Sequence, residues 1–182
     1  MEHWEAVPDM IVFAKGISSS YCPLGGVLLR DRIWKSFAHI FTYVDNPVTM
    51  RAGLAVLDIL EEENILQHVS RMGEYLKDRS QELRRHSIVG EIRSQGLMMG
   101  VELVRDATSA QAFPPDWQIK KRLARILLKK GLSLGVGGGG VDGRTVDDCR
   151  LALPLIITPD EIDEVLQILD QGIAEQQAQL AG

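Results

Sequence analysis

Pro8-Asp9-Met10-Ile11-Val12-Phe13-Ala14-Lys15-Gly16-Ile17-Ser18-Ser19-Ser20 is the stretch on which the reading of this chain turns. The apolar run Met10 to Ala14 follows a Pro-Asp pair and stops at Lys-Gly. A short apolar run between breakers reads as a buried strand. The lysine therefore stands at the carboxyl end of a strand, followed by a glycine and, past Ile17, by three hydroxyls. In parallel α/β sheets ligands gather at that end of the strands. A lysine partly withdrawn from water has an amine freed for Schiff-base chemistry. On spacing alone an exposed lysine after a strand is the commoner arrangement, because lysines are seldom buried.

Working outward, Gly25 to Leu29 reads as a second strand ending at Arg30-Asp31. Asn46-Pro47 opens a helix, with Asn as cap and Pro in the first position. Ala52, Leu54, Ala55, Leu57, Ile59 and Leu60 predict that this helix is buried, and Glu61 to Glu63 mark its polar end. A second amphipathic helix carries Ile65, Leu66, Val69, Met72, Leu76 and Leu83 and runs to about Arg85. Strands follow at 88–92 and 97–104, turning at Ser94-Gln95-Gly96. Asp116 is expected to cap a helix whose apolar face is Ile119, Leu123, Ile126 and Leu127 and which Gly131 ends. Its basic residues Lys120, Lys121, Arg122, Lys129 and Lys130 read as a solvated face. Leu132 to Val136 is a short strand, and Gly137 to Gly140 with Asp142-Gly143 a loop without the Gly-Lys-Ser/Thr of a phosphate loop. Arg150 to Ile157 reads as a strand at an edge or near its end, because it carries Pro154. Thr158-Pro159-Asp160-Glu161 is a capping box that opens a last helix, frayed from Gln176 onward.

Composition narrows the classes. The chain has 182 residues, 45% of them hydrophobic and 25% charged, with a net charge of −5. That is ordinary for a globular protein with a real core, and the negative balance argues against nucleic acid or an anionic membrane as partner. No run of about 18 apolar residues exists to span a bilayer. Cys22 and Cys149 lack metal or disulfide spacing and read as free thiols. His3, His39, His68 and His86 have no metal spacing either, and His68 and His86 are expected on exposed helix faces. Met1-Glu2-His3-Trp4-Glu5 is unlike a signal peptide, so cytoplasm is the default location.

Ala14-Lys15-Gly16, the hydroxyls after it and Pro23-Leu24-Gly25 together resemble the lysine segment of class III (omega-amino-acid type) pyridoxal-phosphate-dependent aminotransferases. By that resemblance Lys15 forms the Schiff base with pyridoxal 5'-phosphate and later carries the proton. Phe41-Thr42-Tyr43-Val44-Asp45-Asn46-Pro47 resembles the family's Thr-Tyr-x-x-x-Pro turn, with Asp45-Asn46 where Gly-His is frequent. It implies that Thr42 binds the cofactor phosphate of a neighbouring subunit, hence a homodimer; a plain helix-capping turn would look the same. Cys149-Arg150-Leu151-Ala152-Leu153-Pro154-Leu155 resembles the Arg-x-x-Pro-Pro-Leu strand, with Leu153 in place of the first proline. There Arg150 would receive a substrate carboxylate, since a guanidinium matches a carboxylate with two parallel bonds. A structural arginine in an ion pair is as good a reading. Gly96-Leu97-Met98-Met99-Gly100-Val101-Glu102-Leu103 resembles a further family strand, with a packing role.

The resemblance implies an α/β fold type I transferase. An incomplete large-domain sheet (1–50) leads through connecting helices (51–85) to a small α+β domain (86–182). It covers the C-terminal portion of the family pattern. The ring-pairing aspartate of the family precedes the segment matched here, and Asp9, Asp31 and Asp45 do not lie in its context. The implied activity is transfer of an amino group from an amino acid or amine to a 2-oxo acid. The chain alone is expected to be inactive or very weak, with open strand edges and exposed apolar surface. Other readings are an aminomutase, racemase or decarboxylase using the same lysine, or a non-catalytic dimerising remnant.

Overall fold

The computed structural model of the chain describes residues 5–35, 42, 44–134 and 147–181. The glycine loop 137–140, Asp142-Gly143, Val136, His3, His39, and Phe41 and Tyr43 of the threonine turn lie outside the described residues. The chain divides into two compact units, 1–65 and 66–182.

In the first unit β1 (Met10–Phe13) and β2 (Gly26–Leu29) form an antiparallel pair, with Met10 opposite Leu29 and Phe13 opposite Gly26. The single-turn helix α1 (Asp31–Trp34) follows. α2 (Pro47–Glu62) begins as its sequence dictates. The Asn46 side chain accepts from the amides of Val48, at 3.0 Å, and Thr49, and Pro47 needs no partner for a missing N–H. α2 crosses closely over the segment that follows β1. A Cβ placed on Gly53 would lie 2.6 Å from Leu24 Cδ2, so only glycine fits that crossing without a shift. The expectation that α2 is buried is not met: Gly53 is its one buried residue, and Leu54, Leu57 and Ile59 are exposed. An apolar helix is buried only where something covers it, and no described residue covers that face.

The second unit has its own core. α3 (Ile65–Ser80) passes into a 3₁₀ turn over Gln81–Arg85, so the helical stretch ends where its periodicity predicts. β3 (Val89–Gln95), β4 (Met98–Leu103) and β5 (Asp147–Ala152) make an antiparallel sheet in the order β3-β4-β5. The β3–β4 turn is shorter than expected. Gln95 pairs with Met98 and the turn falls on Gly96-Leu97, with Gly96 in the left-handed region at φ 53°. α3 comes so near that a Cβ on Gly73 would sit 2.7 Å from Gly96 Cα. β5 starts earlier than predicted and stops before Pro154, which cannot donate to a ladder, and its edge position matches the expectation.

α4 (Ile119–Lys129) and α5 (Pro159–Ala181) complete the unit. Asp116 does not cap α4. It lies in a 3₁₀ turn opened by Pro115, and Gln118 at φ 48° leads into the helix, whose first residue, Ile119, is fully buried. Leu132 to Leu134 form no strand, because the Leu132 amide closes the helix end on Leu127 O at 2.9 Å, with Gly131 at φ 94°. Leu123 and Leu127 of α4 and Ile162, Leu169 and Ile173 of α5 pack with Val101, Leu103, Cys149 and Leu151 of the sheet. Full burial stabilises each such side chain by roughly 1.5–3 kcal/mol. The Thr158–Glu161 capping box forms: Glu161 accepts from the Thr158 amide at 2.8 Å and returns its own amide to the Thr158 hydroxyl.

Other expectations fail through long-range packing. The last helix does not fray at Gln176, which is helical and fully buried, with Leu180 packed on the core beyond it. His86 is buried and paired with Asp170 at 2.7 Å, and the partly buried His68 Nε2 lies 2.8 Å from Ile157 O. No helix among the described residues is long and apolar enough to cross a membrane.

Candidate active site

Lys15 follows β1 as expected, but β1 is largely exposed rather than buried, so the lysine is not withdrawn from water; its surroundings are specific. Ala14 is extended, and Lys15 turns abruptly to φ 55° as the first residue of a 3₁₀ turn, Lys15–Ser18. Ser19 and Ser20 are also left-handed, at φ 49° and 64°. Three non-glycine residues of this kind in six positions each cost on the order of 1 kcal/mol, a strain characteristic of functional loops. The turn is anchored beneath by the buried Ser18, whose hydroxyl donates to Cys22 O, and is crossed by α2 at Gly53. The Lys15 side chain is exposed, and among the described residues its amine makes no hydrogen bond or ion pair. Thr42 lies in an exposed turn of the same unit. Asp9, at the start of β1, is engaged by Arg30 at 3.1 Å and Arg32 at 2.6 Å.

Arg150 belongs to the second unit. It stands on the face of β5 turned away from the core, next to Gly100 of β4 in register. Asp148, two residues earlier on that face, accepts from Arg150 Nε and from Lys120 Nζ at 2.7 Å. Lys120 reaches it from the first turn of α4, so this lysine is not part of a solvated basic face: only 14% of its side chain is exposed. Burial pushes the Asp148 carboxyl up, but the hydrogen bonds and charges of Lys120 and Arg150 outweigh it and hold the group below the usual carboxylate range. Asp148 and Lys120 were missed in the sequence. The Asp-x-Arg spacing on one strand was a readable sign of the first, whereas nothing local pointed to the second. The structure thus places Lys15 and Thr42 in one unit and Arg150 in the other.

The sequence model of the family "Aminotransferase class-III" matches residues 1–173. This chain belongs to the class III aminotransferase family. An uncharacterised aminotransferase of Schizosaccharomyces pombe is 34% identical over 99% of this chain and 42% of its own length. A probable gamma-aminobutyrate transaminase, mitochondrial, of Oryza sativa subsp. indica is 32% identical over 90% of this chain and 32% of its own. Among solved structures, a transaminase from the marine bacterium Virgibacillus superposes with a TM-score of 0.90 at 30% identity, covering 98% of this chain and 42% of that one. The aminotransferase chain described here has the fold type I architecture of these pyridoxal-phosphate-dependent enzymes and spans less than half the length of the relatives it matches.

Proposed function

We propose that Lys15 is the residue to which pyridoxal 5'-phosphate attaches, in an enzyme that moves an amino group from an amino acid or amine to a 2-oxo acid. The observation that carries this is the Lys15 amine, without a partner among the described residues, in a strained left-handed turn after β1, within a class III match. The described residues fit the cofactor's lysine attachment and one phosphate contact. When bound, the cofactor supplies an electron sink for the carbon that bears the amino group. Once the substrate amine had displaced it from the cofactor, the freed Lys15 Nζ would move the substrate's proton. The Thr42 hydroxyl donates to the phosphate of a partner subunit, which makes the assembly a homodimer. Arg150 offers its guanidinium to the substrate carboxylate. Residues 1–50 belong to the cofactor-binding domain, 51–85 connect, and 86–182 form the small domain; the chain works in the cytoplasm.

Asp9 is engaged by two arginines, and neither Asp31 nor Asp45 stands in the context of the ring-pairing aspartate. By itself the chain is therefore inactive or very weak. The test is to mix the purified chain with pyridoxal phosphate, reduce with borohydride and map the modified peptide, with Lys15→Ala alongside. A reduced adduct on Lys15, absent in the variant, supports the assignment. An adduct spread over other lysines with Lys15 unmodified overturns it.

A further inference from the structure

We infer that Asp148, held by Lys120, is a positioning residue that fixes the Arg150 guanidinium for a carboxylate ligand; this rests on the reading of Arg150 just given.

Three observations carry it. First, the Asp148 side chain is 7% exposed although it lies on the outer face of the sheet, because Lys120 closes over it from α4. A carboxylate so placed cannot turn away with its partner, whereas an arginine on an edge strand could otherwise sample many rotamers. Second, Asp148 takes the Arg150 Nε, and no other described residue engages the guanidinium, whose side chain is 57% exposed. The two terminal nitrogens thus remain available for an incoming carboxylate. Third, the in-register neighbour of Arg150 on β4 is Gly100, and a Cβ there would meet no described residue within 4 Å. The space alongside is open. Asp148 is thus shared between two cations, Lys120 and Arg150. Lys120 cancels the counter-charge that would otherwise weaken Arg150 as a receptor. The ligand class is a carboxylate-bearing amino donor or 2-oxo acid, not a simple amine.

The experiment uses the cofactor-loaded enzyme. The dissociation constant of pentanoate, which cannot react, is measured by titration calorimetry. KM and kcat are measured for a carboxylate-bearing donor and for an amine of matched length. Asp148→Ala and the double variant Asp148→Ala/Lys120→Met are expected to raise the pentanoate Kd and the carboxylate-donor KM about tenfold. The amine KM and kcat stay within about twofold, and Asp148→Asn, which keeps an acceptor for Nε, recovers part of the loss. The double variant removes both buried charges, so a folding defect of the single variant leaves the question answerable. If Arg150→Met raises the pentanoate Kd while both Asp148 variants bind as tightly as the parent, the positioning role falls and the carboxylate role of Arg150 stands. If Arg150→Met itself leaves Kd and KM unchanged, the reading of Arg150 falls and this inference with it.

Discussion

The two units of the chain spend their apolar residues differently. From residue 66 onward the apolar faces of α3, α4, α5 and the three-stranded sheet meet in one core, and Leu76, Leu123, Leu169 and Ile173 are fully buried. In the first unit Val12, Leu28, Leu54 and Leu57 are exposed although they sit on regular elements. Local propensity formed the strands and helix in both; among the described residues it is mainly in the second that packing adds the burial that stabilises them. The first unit instead carries the strained lysine turn. A region that holds strain needs support from elsewhere, and a region with a closed core does not.

The sharpest way to break this comparison is to cut the same side chain in both units. Leu169→Ala is expected to cost about 3 kcal/mol, by the transfer and cavity terms of a fully buried leucine. Leu54→Ala, half exposed, should cost under about 0.5 kcal/mol. Urea unfolding of the two variants measures the contrast, and equal losses would mean that α2 is covered after all.

The next effect in size has the opposite sign. Gln176 is fully buried in α5, and both ends of its amide lack a hydrogen-bond partner among the described residues. Gln176→Met should stabilise the second unit by about 1–2 kcal/mol, because an unpaired buried polar group is removed at similar volume. A lower melting temperature in differential scanning calorimetry would show that the amide has a partner.

Lys15→Gly sharpens the contrast at the first unit. Relief of the left-handed strain should make this variant more stable than Lys15→Ala by about 1 kcal/mol, while both lose the borohydride-trapped adduct. Chemical denaturation of the pair decides it; identical midpoints would remove strain from the account of the site.

The smallest effect is a pH dependence in the second unit. Hydrogen bonds from Arg79 and Tyr75 hold the Asp163 carboxyl below its ordinary value. A lowered folded value means that this tie contributes above the unfolded carboxylate pKa, about 3.9, and fades as pH falls through the lower folded one. Asp163→Asn should therefore be less stable than the parent near neutrality and indistinguishable from it at strongly acidic pH. A stability difference that persists undiminished into acid would assign the loss to packing instead.

Much of the local architecture was legible because short-range chemistry writes it. Pro8 to Ser20 specifies a strand that stops at a lysine, Asn46-Pro47 a capped helix, and Thr158 to Glu161 a capping box, each from groups a few residues apart. The resemblance of the lysine segment to class III aminotransferases also lies in contiguous residues, and the family match over 1–173 agrees with it. What only the tertiary structure decided are the meetings of distant residues. Lys120 joins Asp148 across 28 positions and His86 joins Asp170 across 84, so a basic residue read as solvated becomes a largely covered partner and a histidine read as exposed a buried one. Gln176 looked like the start of a frayed tail and is core, while α2 looked like core and leaves Leu54, Leu57 and Ile59 exposed. Periodicity says which face of an element is apolar, but whether that face is covered depends on which other elements reach it, and no local run of residues encodes that.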